Sequence, residues 1–201
     1  MSVSNNPESS SRVPGRPRDA RADRAILDAA LQSFIDDGYE GMSIESVAAR
    51  AGVGKTTIYR RWPSKKELIV AAMDTLFEDL RLPETGDVRA DLTSVVHQAH
   101  RFITQTKAGE VLPRMIVELA SGTPLGRTYF EKVMAPRLQA IVGALEAAKE
   151  RGELRTDLDD HLALASIIGS MMFLRVTRTL PKTKGDLPDR LVTQLIEGMR
   201  A

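Results

Sequence analysis

The sequence contains no cysteine, which excludes disulfide bonds, thiolate nucleophiles and cysteine-ligated zinc. Aromatic residues make up only 4% of the chain, so the core has to be built from aliphatic side chains and methionine, which favours packed helices over a β-sandwich. No apolar run approaches the roughly 20 residues that span a bilayer. The first 18 residues are polar and lack the apolar stretch of a secretory signal. We therefore expect a cytoplasmic protein that makes no contact with membranes.

Charge is distributed unevenly along the chain. The formal net charge is only +1, but basic residues outnumber acidic ones in residues 1–66, while the rest is slightly acidic. Between Arg50 and Lys66 there are six basic residues and no acidic one. A basic segment on an acidic body suggests that one end contacts a polyanion. A solvated surface run is the alternative that charge alone leaves open.

Apolar periodicity predicts an all-α fold, since no segment shows strand alternation. Residues 1–19 are rich in Ser, Asn, Pro and Arg and are predicted to form a disordered basic arm. The first helix is predicted from Ala20 to Gly38, where glycine supplies a stop. Further helices are predicted over 87–106, from 111 or 112 to 120, from about 125 to 151 with a bend near Pro136, over 157–178 and over 187–199. Residues 20–66 would form a three-helix head, and residues 67–201 a larger helical body.

The segment between Ser43 and Trp62 has the features of a helix-turn-helix. Ser43 is placed to cap a helix that ends at Ala51. Gly52 can adopt the left-handed conformation that a tight turn requires. A second helix is predicted from Lys55 to Trp62, before Pro63, and Ser64 would cap a fourth helix. The apolar residues needed to fill the helix crossing are present at Val47, Ala51, Val53 and Ile58.

The remaining positions on the second of these helices are polar or basic. Their side chains are donors, acceptors and cations suited to phosphates and base edges: Lys55, Thr56, Thr57, Tyr59, Arg60 and Arg61. A plain helical hairpin is the alternative, but the spacing, the basic face and the basic arm upstream favour a DNA-binding unit.

The sequence SIESVAARAGVGKTTIYRRW, from Ser43 to Trp62, resembles the DNA-binding signature of the TetR family of bacterial transcriptional regulators. The following PSKKEL resembles the start of that family's connecting helix, and residues 22–41 resemble its first helix. The resemblance covers about residues 20–70. It departs at Arg61, where the family usually has histidine. An arginine there can clamp a phosphate through its guanidinium.

This resemblance implies a homodimeric, ligand-responsive repressor that binds a palindromic operator in double-stranded DNA and is released by a small-molecule inducer. Thr56, Lys55 and Tyr59 would lie nearest the major groove. The implied DNA-binding set also contains the phosphate contacts and their neighbours: Ser43, Gly54, Thr57, Arg60, Arg61 and Lys65. In the arm, PGRPR around Arg16 and Arg18 resembles the core of a minor-groove AT-hook. A tail that only adds charge is the alternative.

The resemblance also implies a ligand cavity and a two-fold interface in the body. The candidate cavity residues are Met73, Phe77, His97, Arg101, Ile116, Met172 and Arg175, although apolar residues at helical spacing also suit an ordinary core. Small and apolar residues on the last two helices suggest the interface: Ala165, Gly169, Leu191 and Leu195. A palindrome read by two short helices independently favours a dimer.

Other functional classes find little support in the sequence. Gly52 to Thr57 is superficially similar to the end of a P-loop, but it lacks the first glycine and a preceding strand. His97 and His100 share a helix face, but a metal site needs a third ligand and none is evident. Glu118 could be a polar group of the cavity or lie at a solvated edge. We therefore expect no catalytic residues, no metal and no cofactor; a helical interaction protein that does not bind DNA is the remaining alternative.

Overall fold

A computed structural model describes residues 20–80, 83, 85–177 and 187–199. Within these ranges the chain forms helices and no β-strand, which confirms the predicted all-α class. The helices are α1 (Ala20–Gly41), α2 (Ile44–Ala51), α3 (Lys55–Tyr59), α4 (Lys65–Asp74), α5 (Val88–Gln105), α6 (Ala108–Ala120), α7 (Pro124–Tyr129), α8 (Ala135–Glu150), α9 (Asp160–Val176) and α10 (Leu187–Met199). A 3₁₀ turn, Thr75–Phe77, continues α4, and a π-helical segment, Phe130–Met134, joins α7 to α8. No helix in the described ranges is long and apolar enough to cross a membrane.

Helix α1 connects the head with the body. Its apolar stripe is buried through Ile26, Ala30, Leu31 and Phe34, and it packs against α2 inside the head and against α4 and α6 outside it. As predicted, Gly38 interrupts the helix: its φ of 73° and ψ of 179° are not helical and kink the chain, a conformation that glycine adopts without strain. A further helical turn, up to Gly41, follows the kink.

The body is built from helices that pack around one continuous apolar core. Helix α5 lies at its centre and contacts α6, α8, α9 and α10, while α9 also packs against α8 and α10. The core continues without a break into the head through Leu68, Ile69 and Met73 of α4. Helix α4 therefore shares its buried face with both parts of the molecule.

Two helices of the body begin at residues other than those predicted, one beside a tertiary contact and the other at a local cap. Helix α6 starts at Ala108, three or four residues before the predicted start. Gly109 lies against the end of α5, where a Cβ would be 2.1 Å from the Ile103 carbonyl oxygen. Helix α9 starts at Asp160 and not at 157, with the Asp159 carboxylate accepting the Leu162 N–H at 3.0 Å.

The helix predicted from about 125 to 151 is divided into three parts. Pro136 lies in the first turn of α8, where the missing N–H of proline has no helical partner to lose. The residues just before α8 form the π-helical segment Phe130–Met134. Such wide turns are often found at functional sites.

Candidate nucleic-acid interface and ligand cavity

The helix-turn-helix is fixed by two local features. The Ser43 hydroxyl accepts the Ser46 N–H at 3.1 Å, which caps α2 as predicted. Gly52 has a φ of 67°, and its N–H bonds to the Ala49 carbonyl, while the next N–H bonds to the Ala48 carbonyl. These two hydrogen bonds around a left-handed residue end α2 and begin the turn.

Helix α3 is short and anchored by one side chain. It begins at Lys55 as predicted, but it ends at Tyr59 and continues as a turn before Trp62. Ile58 is fully buried and packs in the same core as Val47. Because only this face of α3 is buried, the opposite face is free to meet a partner molecule.

The exposed face of α3 carries five of the predicted DNA-binding residues: Gly54, Lys55, Thr56, Tyr59 and Arg60. Tyr59 is 49% exposed, so an aromatic ring with a hydroxyl group able to hydrogen-bond lies on this surface. Ser43 and Thr57 are half-buried at the edge of the same surface. This head surface, defined by Ser43, Gly54, Lys55, Thr56, Thr57, Tyr59 and Arg60, is the candidate nucleic-acid interface.

Lys55 forms an ion pair inside the head surface. Its ammonium group lies 2.8 Å from Glu45 Oε1 of α2. The hydrogen bond from Lys55 lowers the pKa of the Glu45 carboxyl and in turn raises the pKa of Lys55. Both groups are therefore charged at neutral pH. A DNA phosphate that binds the Lys55 ammonium group has to compete with the Glu45 carboxylate.

Arg61 is bound within the head itself. One guanidinium nitrogen lies 2.5 Å from a carboxylate oxygen of Asp23, and the two side chains are only 14% and 29% exposed. The two atoms face each other without the alignment of a hydrogen bond, so the contact is an ion pair. It joins the end of α3 to the first turn of α1.

Lys65 is also held by the protein. Its ammonium group donates to the Tyr39 carbonyl at 2.7 Å and to the Met42 carbonyl at 3.2 Å, and it lies 4.5 Å from the centre of the Tyr39 ring. The structure thus gives Arg61 and Lys65, both predicted to bind phosphates, partners within the head. Their partners are distant in sequence, and no sequence pattern marks Asp23 or Tyr39 for this role. Arg16 and Arg18 of the arm lie outside the described residues.

The body contains an apolar cavity of about 320 Å³. Fifteen of its seventeen lining residues are apolar, and the other two are Gln98 and Arg137. The apolar wall consists of Phe77, Leu80, Val95, Ala99, Phe102, Ile103, Leu112, Met134, Leu138, Ala140, Ile141, Ile167, Ile168, Met171 and Met172. Of the seven cavity residues predicted from the sequence, Phe77 and Met172 line it.

The other five predicted cavity residues lie elsewhere. Met73 is buried in the core, and Arg101 and Ile116 are on the surface. The His97 ring nitrogen lies 2.7 Å from Asp189 of α10. Arg175 donates to the Gly109 carbonyl at 2.7 Å. None of these five side chains lines this cavity, because each packs in the core, faces solvent or contacts another helix.

The position of Glu118, left open by the sequence, is resolved by a side-chain contact. Glu118 accepts a hydrogen bond of 2.6 Å from the Thr123 hydroxyl, which itself caps α7 by accepting the Gly126 N–H. Glu118 therefore stabilises the α6–α7 turn and is not a group of the cavity. In the described part of the chain, no cluster of three or more His, Asp or Glu side chains could hold a metal ion.

Helix α9 exposes an apolar face. Leu162 and Phe173 are each 65% exposed and Val176 is 53% exposed. Ala165 and Gly169 are exposed on the same helix. In α10, Leu191 and Leu195 are half-buried against the core, and Leu191 borders an open groove between the two helices together with Gly169 and Phe173.

Comparisons with known proteins match the chain in both parts. Residues 26–72 match the family described as bacterial regulatory proteins, tetR family, and residues 82–195 match the tetracyclin repressor-like C-terminal domain. The chain is 34% identical over 176 residues to the DNA-binding transcriptional repressor TetR of Mycobacteroides abscessus, covering 86% of this chain and 88% of the relative. It is 30% identical over 188 residues to the HTH-type transcriptional regulator YdeS of Bacillus subtilis, covering 93% and 94%.

A solved structure shares the fold over most of both chains. The transcriptional regulator FadR from Bacillus subtilis, crystallised in complex with stearoyl-CoA, superimposes with a TM-score of 0.69 at 21% identity, covering 87% of this chain and 97% of FadR. Together with the matches in sequence, this likeness confirms the resemblance inferred from the helix-turn-helix.

Proposed function

The chain belongs to the TetR family of bacterial transcriptional regulators, and from this premise we propose that it is a repressor that binds a palindromic operator as a homodimer and releases it when a small molecule occupies the body cavity. The observation that carries the proposal is the head surface. There, α2, capped by Ser43, and α3, which follows the turn at Gly52, together present polar and basic side chains on one face. We further propose that residues 20–66 form the DNA-binding domain and residues 67–201 the ligand-binding and dimerisation domain.

For DNA contact, we assign the major groove to the exposed face of α3. Lys55, Thr56 and Tyr59 project from this face and can reach base edges and phosphates. Arg60 and the edge of the head surface would contact the backbone. Arg61 and Lys65 act mainly by holding α3 and the α1–α2 junction in place, because their charges already have partners in the head.

For dimerisation, we assign the interface to α9 and α10. Large apolar side chains exposed along one helix are costly in water and typically mark a protein contact. Leu162, Phe173 and Val176 line such a face, and Gly169 allows a second helix to approach closely. Two heads held by a two-fold axis would lie about 34–36 Å apart to enter successive major grooves.

For regulation, we assign the effector site to the 320 Å³ cavity. Its apolar wall is typical of small-molecule sites. It borders Phe77, in the 3₁₀ turn that continues α4, so its occupancy can affect the helix that follows α3.

DNA binding is tested by fluorescence anisotropy with palindromic fragments from the DNA that flanks the gene. We expect the logarithm of the association constant to fall linearly with the logarithm of the salt concentration. Lys55→Ala should weaken binding and reduce the salt slope by about one. The matched control is Lys107→Ala, an exposed lysine of the body. If no palindrome binds, or if both variants behave alike, the assignment of the head surface is wrong.

Dimerisation is tested by sedimentation at micromolar concentration. The wild type should be a dimer, and Phe173→Glu should be a monomer. Val117→Glu is the matched control, because Val117 of α6 is 63% exposed against 65% for Phe173. A monomeric wild type, or an equal effect of the two variants, would contradict an interface on α9.

A further inference from the structure

Among the residues that the structure describes, a single charged side chain lies in the cavity wall. Arg137 is that residue, and Gln98 is the only other polar one among the seventeen that line the cavity. A guanidinium group remains charged at any pH that a protein tolerates. A ligand that fills this space therefore meets an apolar surface almost everywhere and a cation at one place.

Arg137 is held at the cavity wall by contacts on three sides. One terminal nitrogen donates to the Val133 carbonyl at 2.6 Å. The other lies 2.9 Å from Asp74 Oδ1. The guanidinium carbon lies 4.6 Å from the centre of the Phe77 ring, and Phe77 lines the same cavity. Position and orientation of the cation are thus fixed before any ligand arrives.

The contact with Asp74 is weak for three reasons. It uses one carboxylate oxygen, whereas arginine can bind both oxygens of a carboxylate in its planar fork. The Asp74 side chain is 55% exposed, and exposed ion pairs contribute little to stability. Asp74 is also the last residue of α4, where the helix dipole disfavours a negative charge. Asp74 therefore neutralises Arg137 but can be replaced without burying an unpaired charge, since its own carboxylate returns to water.

We propose that the effector is an amphiphile with an apolar body and one acidic group, and that this acid replaces Asp74 on the guanidinium of Arg137. The inference rests on the proposed function of the cavity as the effector site. The apolar body contacts the aliphatic and aromatic wall, and the acid forms the bidentate pair that Asp74 does not form.

The same exchange supplies a route from the cavity to the head. Asp74 ends α4, and Lys65 at the other end of α4 holds the Tyr39 and Met42 carbonyls of the head. Loss of the Arg137 contact removes the ion pair between the end of α4 and α8, beside the π-helical segment whose Val133 carbonyl Arg137 also binds. An acid in the cavity therefore acts on the helix that carries the recognition unit.

The test uses matched pairs of probes that differ only in the head group. Octanoate, decanoate and dodecanoate are compared with octanol, decanol and dodecanol by isothermal titration calorimetry on the full-length chain. For the length that fits best, the acid should bind about tenfold more tightly than the alcohol, since hydrogen bonds to charged groups are the strong ones.

Three variants separate competition from a general effect of charge. Asp74→Asn should raise the affinity for the acid about two- to fivefold, because the competing carboxylate is gone, and should leave the affinity for the alcohol unchanged. Arg137→Gln should lower the affinity for the acid to that for the alcohol. Glu131→Gln removes an exposed carboxylate from the segment Phe130–Met134 and should change neither affinity.

The proposal is overturned if the alcohols bind as tightly as the acids, if neither series binds at any length, or if Asp74→Asn and Glu131→Gln have the same effect on the acid. The operator assay is read separately. A chain that binds no palindrome refutes the proposed function whatever the acids do, whereas operator binding without preference for acids refutes only the nature of the effector.

Discussion

The ion pair between Arg61 and Asp23 provides a direct test of how α3 is held. Replacing Asp23 with Asn removes the charge that faces Arg61 and leaves the shape of the side chain almost unchanged. If the pair anchors the recognition helix, the head should lose stability, and operator affinity should fall with it. If Arg61 were instead a phosphate contact restrained by Asp23, the same substitution would free it and raise operator affinity.

The expected loss of stability follows from the burial of the pair. The side chains are 14% and 29% exposed, so the pair lies between surface pairs, worth about 0–1 kcal/mol, and buried pairs, whose disruption costs about 3–5 kcal/mol. We expect Asp23→Asn to lower the free energy of unfolding by about 2 kcal/mol. For a chain of this length that corresponds to a melting temperature lower by roughly 4–8 °C.

The assay is thermal unfolding followed by circular dichroism, at one fixed concentration because dimerisation adds to stability. Asp23→Asn, Arg61→Gln and the double variant form a cycle that isolates the interaction of the pair. Asp36→Asn is the control, since it breaks a pair with Arg50 in which both side chains are 41% exposed, and it should lower the melting temperature less. A melting temperature within about 1 °C of wild type for Asp23→Asn, or purely additive effects in the cycle, would refute the anchoring role.

Three further substitutions test other parts of the molecule. Gly126→Ala should destabilise the protein, because its Cβ would lie 2.4 Å from a backbone oxygen of α6, whereas Gly143→Ala meets no atom within 4 Å and should stabilise it by up to about 1 kcal/mol; equal melting temperatures would contradict this packing. Burial raises the pKa of Tyr129, so the wild type should lose stability as pH rises above about 10, where the unfolded state releases the proton and the folded state does not. Tyr129→Phe should reduce this alkaline loss in urea unfolding but not abolish it, because burial also raises the pKa of Tyr39; an unchanged pH profile would contradict the role of Tyr129. Glu45→Gln should free Lys55 and raise operator affinity at low salt, with a gain in anisotropy titrations that shrinks as salt is added; a gain independent of salt would exclude this mechanism.

The parts of the fold that were predictable are those fixed by neighbouring residues. Ser43 and Gly52 define α2 and its turn through hydrogen bonds that span three or four residues, so their roles can be inferred from residue type and spacing. In the described part of the chain, α10 spans the predicted range, Leu187–Met199. The start of α6 was not predicted, because Gly109 is placed by the carbonyl of Ile103 and by Arg175 from α9.

The cavity was the least predictable part of the site. Periodicity identifies a buried helix face, but it does not distinguish a residue that borders an empty volume from one that fills the core. Met73 and Met172 are alike in type and in position on an apolar face, yet only Met172 lines the cavity. No sequence pattern marked Arg137 as a cavity residue. Its proposed role depends on the ion pair with Asp74, which lies 63 positions away in the sequence.

Helix α4 runs from the head to the end of the cavity without an intervening loop. Its ten residues, at about 1.5 Å each, make a rod of roughly 15 Å. A helix of fewer than three turns is too short to bend appreciably. A displacement of Asp74 therefore also displaces Lys65 at the other end. Transmission between the two ends then requires no unfolding or refolding of a segment, only a rigid shift, which belongs to the microsecond-to-millisecond range of collective motions. In the proposed mechanism, the rate of the response would therefore be set by ligand entry into the cavity and by dissociation from DNA, and not by the motion of α4.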